Sequence, residues 1–362
     1  IIGVFTSINL ILFYVFWEIV LIPMFFFIGI WGGPRRKYAA MKFILFTYLG
    51  SLVMLLGFLL IYFASSPNTF NLLDLVGNVP YNVQIWASLA MLIGFGVKLP
   101  LVPFHTWLPD AHVEAPAPIS VFLAGLLLKM GGYGFLRLNI GILGEASKSL
   151  AFLFIGLGVI TMFYGAIGAL KQTDLKRMIA LTSINHMGFV VVGAFTANLL
   201  GVSGAIFQMF NHGIAIGLLF MLTGYIYEQT GSREIPLLKG MQKNMPRTAV
   251  LLTLASLAGM GAPLFSLFLS EFMVIAGAIS FNYGLAVAML IPIITVSYFL
   301  WMVRRVIMSN PTDTQSYRDM SLRSAITLSI YLIPLLLLVI FPYLLLDVID
   351  PISTTLINAL GG

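Results

Sequence analysis

Gly96-Val97-Lys98-Leu99-Pro100-Leu101-Val102-Pro103 lies inside an apolar run covering residues 84–108, and its reading decides the fold. The run has the length of a membrane crossing, for which ~20 residues span a ~30 Å hydrocarbon layer. Yet it carries a lysine and two prolines where its middle should be. Proline removes an amide donor and clashes with the preceding turn, so a break is predicted here. Unwound backbone at membrane depth is tolerated only where protein or a water-filled cavity surrounds it. A second break is predicted at Gly259-Met260-Gly261-Ala262-Pro263-Leu264-Phe265-Ser266. Gly/Pro-interrupted helices at matching places in two halves point to an inverted-repeat transporter and its ion path.

Composition agrees with a lipid-solvated chain. Hydrophobic residues make up 60% of it and charged residues only 9%, with a mean hydropathy of +1.01. A water-soluble domain has roughly 25% charged residues. Spans are predicted near 7–31, 38–63, 84–108, 115–139, 149–170, 176–196, 201–227, 247–279, 283–308 and 322–346, which makes about ten transmembrane helices. They are helices because the alternating segments of a barrel are missing. The fold class is therefore an all-α polytopic membrane protein forming one transmembrane domain over 1–362. Its first half-channel covers about 1–140, its second about 149–309, and a C-terminal helix about 322–346.

Basic residues sort by side. Alternate connections hold Arg35, Arg36, Lys37 and Lys42, then Lys171, Lys176 and Arg177, then Arg233, Lys239, Lys243 and Arg247, then Arg304, Arg305, Arg318 and Arg323. The other connections hold only Arg137 and Lys148. The net charge of +6 thus reads as positive-inside topology and not as nucleic-acid binding,. The basic loops are expected on the cytoplasmic side and the C-terminus outside. The connection with Asp110, His112 and Glu114 has no base and adds nothing to that sorting. Trp31, Trp86, Trp107 and Trp301, near span ends, are expected to be interface anchors,. There is no Cys, which excludes disulfides, thiolate metal sites and iron–sulfur ligation by this chain,. No nucleotide fingerprint is present either.

Six ionisable residues lie deep inside spans, away from their ends: Glu18, Lys98, Lys129, His186, His212 and Glu271. Burying Lys, Asp or Glu at a helix centre costs roughly 2.5–3.5 kcal/mol on insertion scales, so such residues read as functional. Each sits roughly 8–14 residues from a span end, near one plane at 1.5 Å rise per residue,. A row of titratable groups at one depth suggests lateral proton transfer. Glu18 and Lys98 could form a switchable pair or a purely structural salt bridge. Each histidine could serve as a relay or as a satisfied interfacial hydrogen bond. His105 and His112 do not have the spacing of a metal site,.

Lys98-Leu99-Pro100-Leu101-Val102-Pro103-Phe104-His105-Thr106-Trp107-Leu108-Pro109-Asp110-Ala111-His112 resembles the antiporter-like membrane subunits of respiratory complex I. The resemblance extends to Phe16-Trp17-Glu18, Leu128-Lys129-Met130-Gly131-Gly132, Asp174-Leu175-Lys176-Arg177, Ser183-Ile184-Asn185-His186, Asn211-His212-Gly213 and Phe268-Leu269-Ser270-Glu271-Phe272. Glu271, where sister subunits usually carry Lys, points to the subunit M (chain 4) branch. The resemblance implies a fourteen-helix fold with two inverted five-helix repeats. Within it Glu18 and Lys98 would control, Lys129 would relay centrally, His186 and His212 would relay further, and Glu271 would exchange terminally. About four helices would precede the Glu18 span, and with no Met at Ile1 the chain is expected to be incomplete. The implied function is a redox-driven proton translocase of a prokaryotic cell membrane, with a lean towards an archaeal source. Flavin, iron–sulfur and quinone would belong to partner subunits, namely the other antiporter-like subunits and the peripheral redox arm. The alternatives are a subunit of a sodium/proton antiporter or membrane-bound hydrogenase, a solute transporter, and a scaffold whose buried charges only fix packing.

Overall fold

The computed structural model describes residues 1–311 and 317–360. Eight helical spans among the described residues are long and apolar enough to cross a membrane. They are Leu10–Trp31, Arg36–Ala64 (α3), Ala117–Ile140 (α6), Ala151–Leu170 (α7), Leu175–Ala194 (α8), Leu199–Thr230 (α9), Tyr283–Val306 and Leu322–Ile340. The two remaining expected spans are the ones predicted to break, and both do. One runs as Tyr81–Lys98 (α4) and Trp107–Glu114 (α5), the other as Pro246–Gly259 (α10) and Ser266–Phe281 (α11).

The first span is itself divided into Leu10–Ile19 (α1) and Leu21–Trp31 (α2). Pro23 explains this, because it offers no amide to the carbonyl of Ile19 one turn earlier. Asn9 starts the span by accepting from the amides of Ile11 and Leu12,. Leu290–Val306 (α12) follows a short 3₁₀ turn. α8 is the central column: 94% of its membrane-crossing window is buried inside the protein, against 33% for the first span. A polar side chain on α8 therefore faces protein, whereas Leu12, Ile22, Phe26 and Ile30 are exposed to surroundings that must be apolar,.

Each break accounts for its own backbone. At the first, Leu101 N–H donates to Gly96 O at 2.7 Å, leaving the carbonyl of Val97 without its helical partner. Trp107 Nε1 donates to that carbonyl at 2.8 Å. Val102 N–H is taken up by Thr161 Oγ1 of α7 at 3.0 Å. In lipid each such group left unpaired would cost several kcal/mol. This overturns one sequence expectation. Trp107 is fully buried and holds the break, while Trp31, Trp86 and Trp301 are exposed as anchors would be. At the second break Gly261 takes a left-handed φ of 70°, which glycine adopts without steric cost,. Asn211 of α9 then accepts from Ser266 Oγ at 2.7 Å and donates to Ser266 O at 2.9 Å.

The C-terminal region departs from expectation. The expected helix over 322–346 is instead Leu322–Ser329 (α13) and Leu332–Ile340 (α14), with a further helix at Tyr343–Ala359 (α15). α15 lies on the start of α9, where Ser203 Oγ donates to Asp350 Oδ1 at 2.6 Å and Ile349 packs with Phe207 and Met273.

Asp319, in the connection between α12 and α13, caps α10 from outside it. Its carboxylate accepts from the amides of Arg247 and Thr248 and from Thr248 Oγ1. Burial pushes the carboxyl up, but the donors from Arg247, Thr248 and Met320 outweigh it and hold the group below its ordinary value,. A carboxyl lowered in this way stabilises the fold above the ordinary carboxylate range and loses that contribution as pH falls through its folded value. Asp319→Ala is expected to lower stability by about 1 kcal/mol at neutral pH. Thermal unfolding in detergent should show the deficit shrinking towards zero in acid.

Candidate ion path

The helix that carries Lys129 is not a regular α-helix. α6 contains π turns at Leu123–Leu127 and Phe135–Ile140 on either side of it. Leu128 N–H donates to Leu123 O, five residues back, instead of to Ala124 O. Lys129 Nζ donates to Ala124 O. π turns of this kind occur mostly at functional sites. Lys129 also meets His212 Nδ1 of α9 at 2.6 Å. The reach is short because glycines face each other: a Cβ on Gly213 would lie 3.2 Å from Gly125 O.

From His212 the line continues into the second half. The rings of His212 and His186 stand 5.5 Å apart between centroids and nearly perpendicular, at 84°. His186 Nε2 is 3.4 Å from Glu271 Oε1, close enough for an ion pair but without hydrogen-bond alignment. Gly261 makes room for the acid, since a Cβ there would sit 2.7 Å from Glu271 Oε2. Lys129, His212, His186 and Glu271 are all buried, so four of the residues singled out in the sequence form one line across four helices, the last of them just after a break. Electrostatic interaction between neighbours in such a line is strong in a low-dielectric interior.

Glu18 and Lys98 behave differently. Lys98 is 1% exposed, and its Nζ has no hydrogen-bond partner among the described residues. It lies over the ring of Trp17, 4.8 Å from the centroid, as a cation–π contact,. Glu18 feels Lys98 electrostatically, yet the two are outside the 4.0 Å of an ion pair. A direct structural salt bridge between them is therefore absent, because Trp17 takes the place beside the ammonium.

The sequence reading weighs His112 only as a metal ligand and leaves it out of the row of ionisable groups. It is fully buried on α5, stacked flat on Phe220 at 4.5 Å, and neither ring nitrogen has a hydrogen-bond partner among the described residues. It interacts electrostatically with both Lys176 and Lys129. His105 instead packs edge-on against Tyr164. Among the described residues no group of three His, Asp or Glu gathers as metal ligands would.

The connection that carried no base proves to be where bases converge. Asp110 binds Lys42 at 2.7 Å and Arg177 at 3.3 Å. Glu114 accepts from the Arg35 amide at 2.8 Å. Arg233 donates to Val113 O, and Lys176 to Ala115 O. Beside them lies a polar cavity of about 350 Å³ that includes Glu114, Lys176, Glu228 and Arg233. Lys176, which lines it, is one of the two lysines that interact electrostatically with His112.

A model of the family described as "NADH:quinone oxidoreductase/Mrp antiporter, TM" matches residues 7–298. The chain belongs to this family. Among its members, NADH-quinone oxidoreductase subunit M of Rickettsia prowazekii (strain Madrid E) is 44% identical over 346 residues, covering 94% of this chain and 69% of the relative. NAD(P)H-quinone oxidoreductase chain 4 of Synechococcus sp. (strain JA-3-3Ab) is 46% identical over 314 residues, covering 84% and 60%. Family architecture is equally plain in solved structures. A chain of respiratory complex I from Thermus thermophilus matches with a TM-score of 0.94 at 31% identity, over 99% of this chain and 77% of its own length. The Mrp complex from Dietzia sp. DQ12-45-1b matches with a TM-score of 0.89 at 22% identity over the same shares, which is a likeness of fold alone.

Asp110 joins α5 to α3 and α8 and is the group that neutralises Lys42. Removing one partner of a largely buried charge network leaves the other uncompensated. Asp110→Ala is expected to cost about 2 kcal/mol, less than a fully buried pair because Arg177 is partly exposed. Thermal unfolding of the detergent-solubilised protein measures it, and Lys42→Met in the Asp110→Ala background should recover part of the loss.

Proposed function

We propose that this chain is a proton-translocating membrane-arm subunit of a complex-I-like oxidoreductase, which couples electron transfer to a quinone-type acceptor to proton pumping. The line Lys129–His212–His186–Glu271 carries the proposal. Each member can hold or release a proton, and neighbours are close enough for a proton to move by side-chain reorientation or through one water. Electron carriers (flavin, iron–sulfur centres and quinone) belong to partner subunits in this reading, and this chain contributes only the ion path.

Roles follow position. Glu18 and Lys98 act as the controlling pair: a carboxylate near a desolvated ammonium favours its charged form, and withdrawing that influence favours proton release. Lys129 is the central relay, the histidines extend it, and Glu271 is the terminal exchange group. The halves about 1–140 and 149–309 are two inverted half-channels, each with one broken helix. Their element order supports this, since span, span, broken span and span occur in both, preceded in the second half by one further span. The basic loops gathered around Asp110 and Glu114 face the cytoplasm of a prokaryotic cell membrane. A sodium/proton antiporter subunit is the alternative. Fold likeness supports it, while the higher identity to NADH-quinone oxidoreductase subunit M favours the redox-driven reading.

Lys129→Ala should reduce redox-driven proton pumping by about a hundredfold or more while the complex still assembles. Pumping per electron in reconstituted vesicles measures this, and normal pumping by an assembled variant would remove Lys129 from the path. For Glu18→Gln, proton pumping and coupled electron transfer should fall together. Unchanged rates would return Glu18 to a packing role.

A further inference from the structure

Next to the line, between α8 and α12, lies a second set of buried polar groups that the path does not use. Asn185 Nδ2 donates to Thr295 Oγ1 at 2.9 Å. Thr182, Asn185, Thr295 and Tyr298 are all at most 2% exposed. Tyr298 Oη has Thr182, Thr295 and Asn185 around it and interacts electrostatically with Glu271. Even so, Tyr298 Oη and Asn185 Oδ1 have no aligned hydrogen-bond partner among the described residues. Nor has His186 Nδ1, while His186 Nε2 and Glu271 Oε1 meet only each other, at 3.4 Å and without hydrogen-bond alignment. A buried polar group without a partner costs roughly 1–3 kcal/mol, so five such atoms in one region call for a polar guest.

The set is directional. Tyr298 is two turns from the α12 end that carries Arg304 and Arg305, and Thr182 is two turns from the α8 start at Leu175. Tyr298 also lines a small cavity of about 10 Å³ with Gln172, Ile235 and Arg305. That volume is close to the ~10–15 Å³ one water needs. Hydroxyls both donate and accept, so a tyrosine and two threonines bridged by water can pass a proton along.

We infer that Tyr298, Thr295, Asn185 and Thr182 hold water molecules in a second proton branch, which loads Glu271 from the basic-loop face, while charge moved along Lys129, His212 and His186 is still needed to discharge Glu271 in each cycle. The inference rests on the proton-translocation reading. It goes beyond that reading by giving the second half its own access to the basic side.

The assembled complex in proteoliposomes, with pH set separately on the two faces, tests the branch. Tyr298→Phe and Thr295→Val each remove one hydroxyl at nearly constant shape. Each should slow pumping about tenfold when the basic-loop face is near pH 8. Acidifying that face to about pH 6 should restore most of the rate, and acidifying the opposite face should not. A packing defect would not depend on which face is acidified. Wild-type rates in both variants, or slowing that ignores the acidified face, would overturn the branch. Lys129→Ala separates the two ideas: normal pumping there defeats the translocation reading, whereas its loss alongside a wild-type Tyr298→Phe defeats the branch alone.

Discussion

A charge inside a hydrocarbon layer must be solvated by the protein, and much of this structure follows from how Lys129 is solvated. The ammonium has two polar neighbours, Ala124 O and His212 Nδ1. The first depends on a π turn that shifts the Leu128 amide away from Ala124. The second depends on facing glycines that let α6 and α9 approach. Neither arrangement helps a helix that only has to cross lipid, and glycine inside a helix costs roughly 1 kcal/mol relative to alanine. The expense is intelligible when the lysine has a task. Because its partner is a histidine and not a carboxylate, the site does not lock the lysine in its charged state.

The two breaks extend the same logic to the backbone. Helix ends exposed at mid-depth are usable only if every freed amide and carbonyl is taken up. Trp107, Thr161 and Asn211 do this work. The breaks place Lys98 at a helix C-terminus and Glu271 one turn into a helix that begins at Ser266. A helix C-terminus favours a positive charge and an N-terminus a negative one. Both placements are thus electrostatically favourable, and each gives a buried charge some compensation without a permanent ion pair.

The large features were legible because lipid leaves so few options. Charges at mid-depth, prolines at Pro100, Pro103 and Pro263, and the alternation of basic loops can be read without any coordinates. Lys129, His186, His212 and Glu271 stood out for that reason, and the structure brings them together. What escaped notice depends on rotation and contact. Glu18 and Lys98 share a depth, but Trp17 stands beside the ammonium. Trp107 lies near a span end, as an anchor would, and only its hydrogen bond to Val97 reveals the buried role. Neutral groups such as Tyr298, Asn185 and Thr295 carry no burial penalty conspicuous enough to be seen within an apolar run. α15 was missed because the apolar run continues through Pro342 to Leu346, and the rest of the helix, with Asp347, Asp350, Pro351 and three hydroxyl residues, does not read as a membrane span.

The central claim is that Lys129 and Glu271 act in series on one proton line. Proton translocation per electron in the single variants Lys129→Ala and Glu271→Gln and in the double variant tests it most directly. Residues in one series path behave as a unit, so their losses are non-additive. The account predicts that the double variant pumps no worse than the more impaired single variant. Losses that multiply, with the double variant far below either single one, would mean two independent paths and would contradict it.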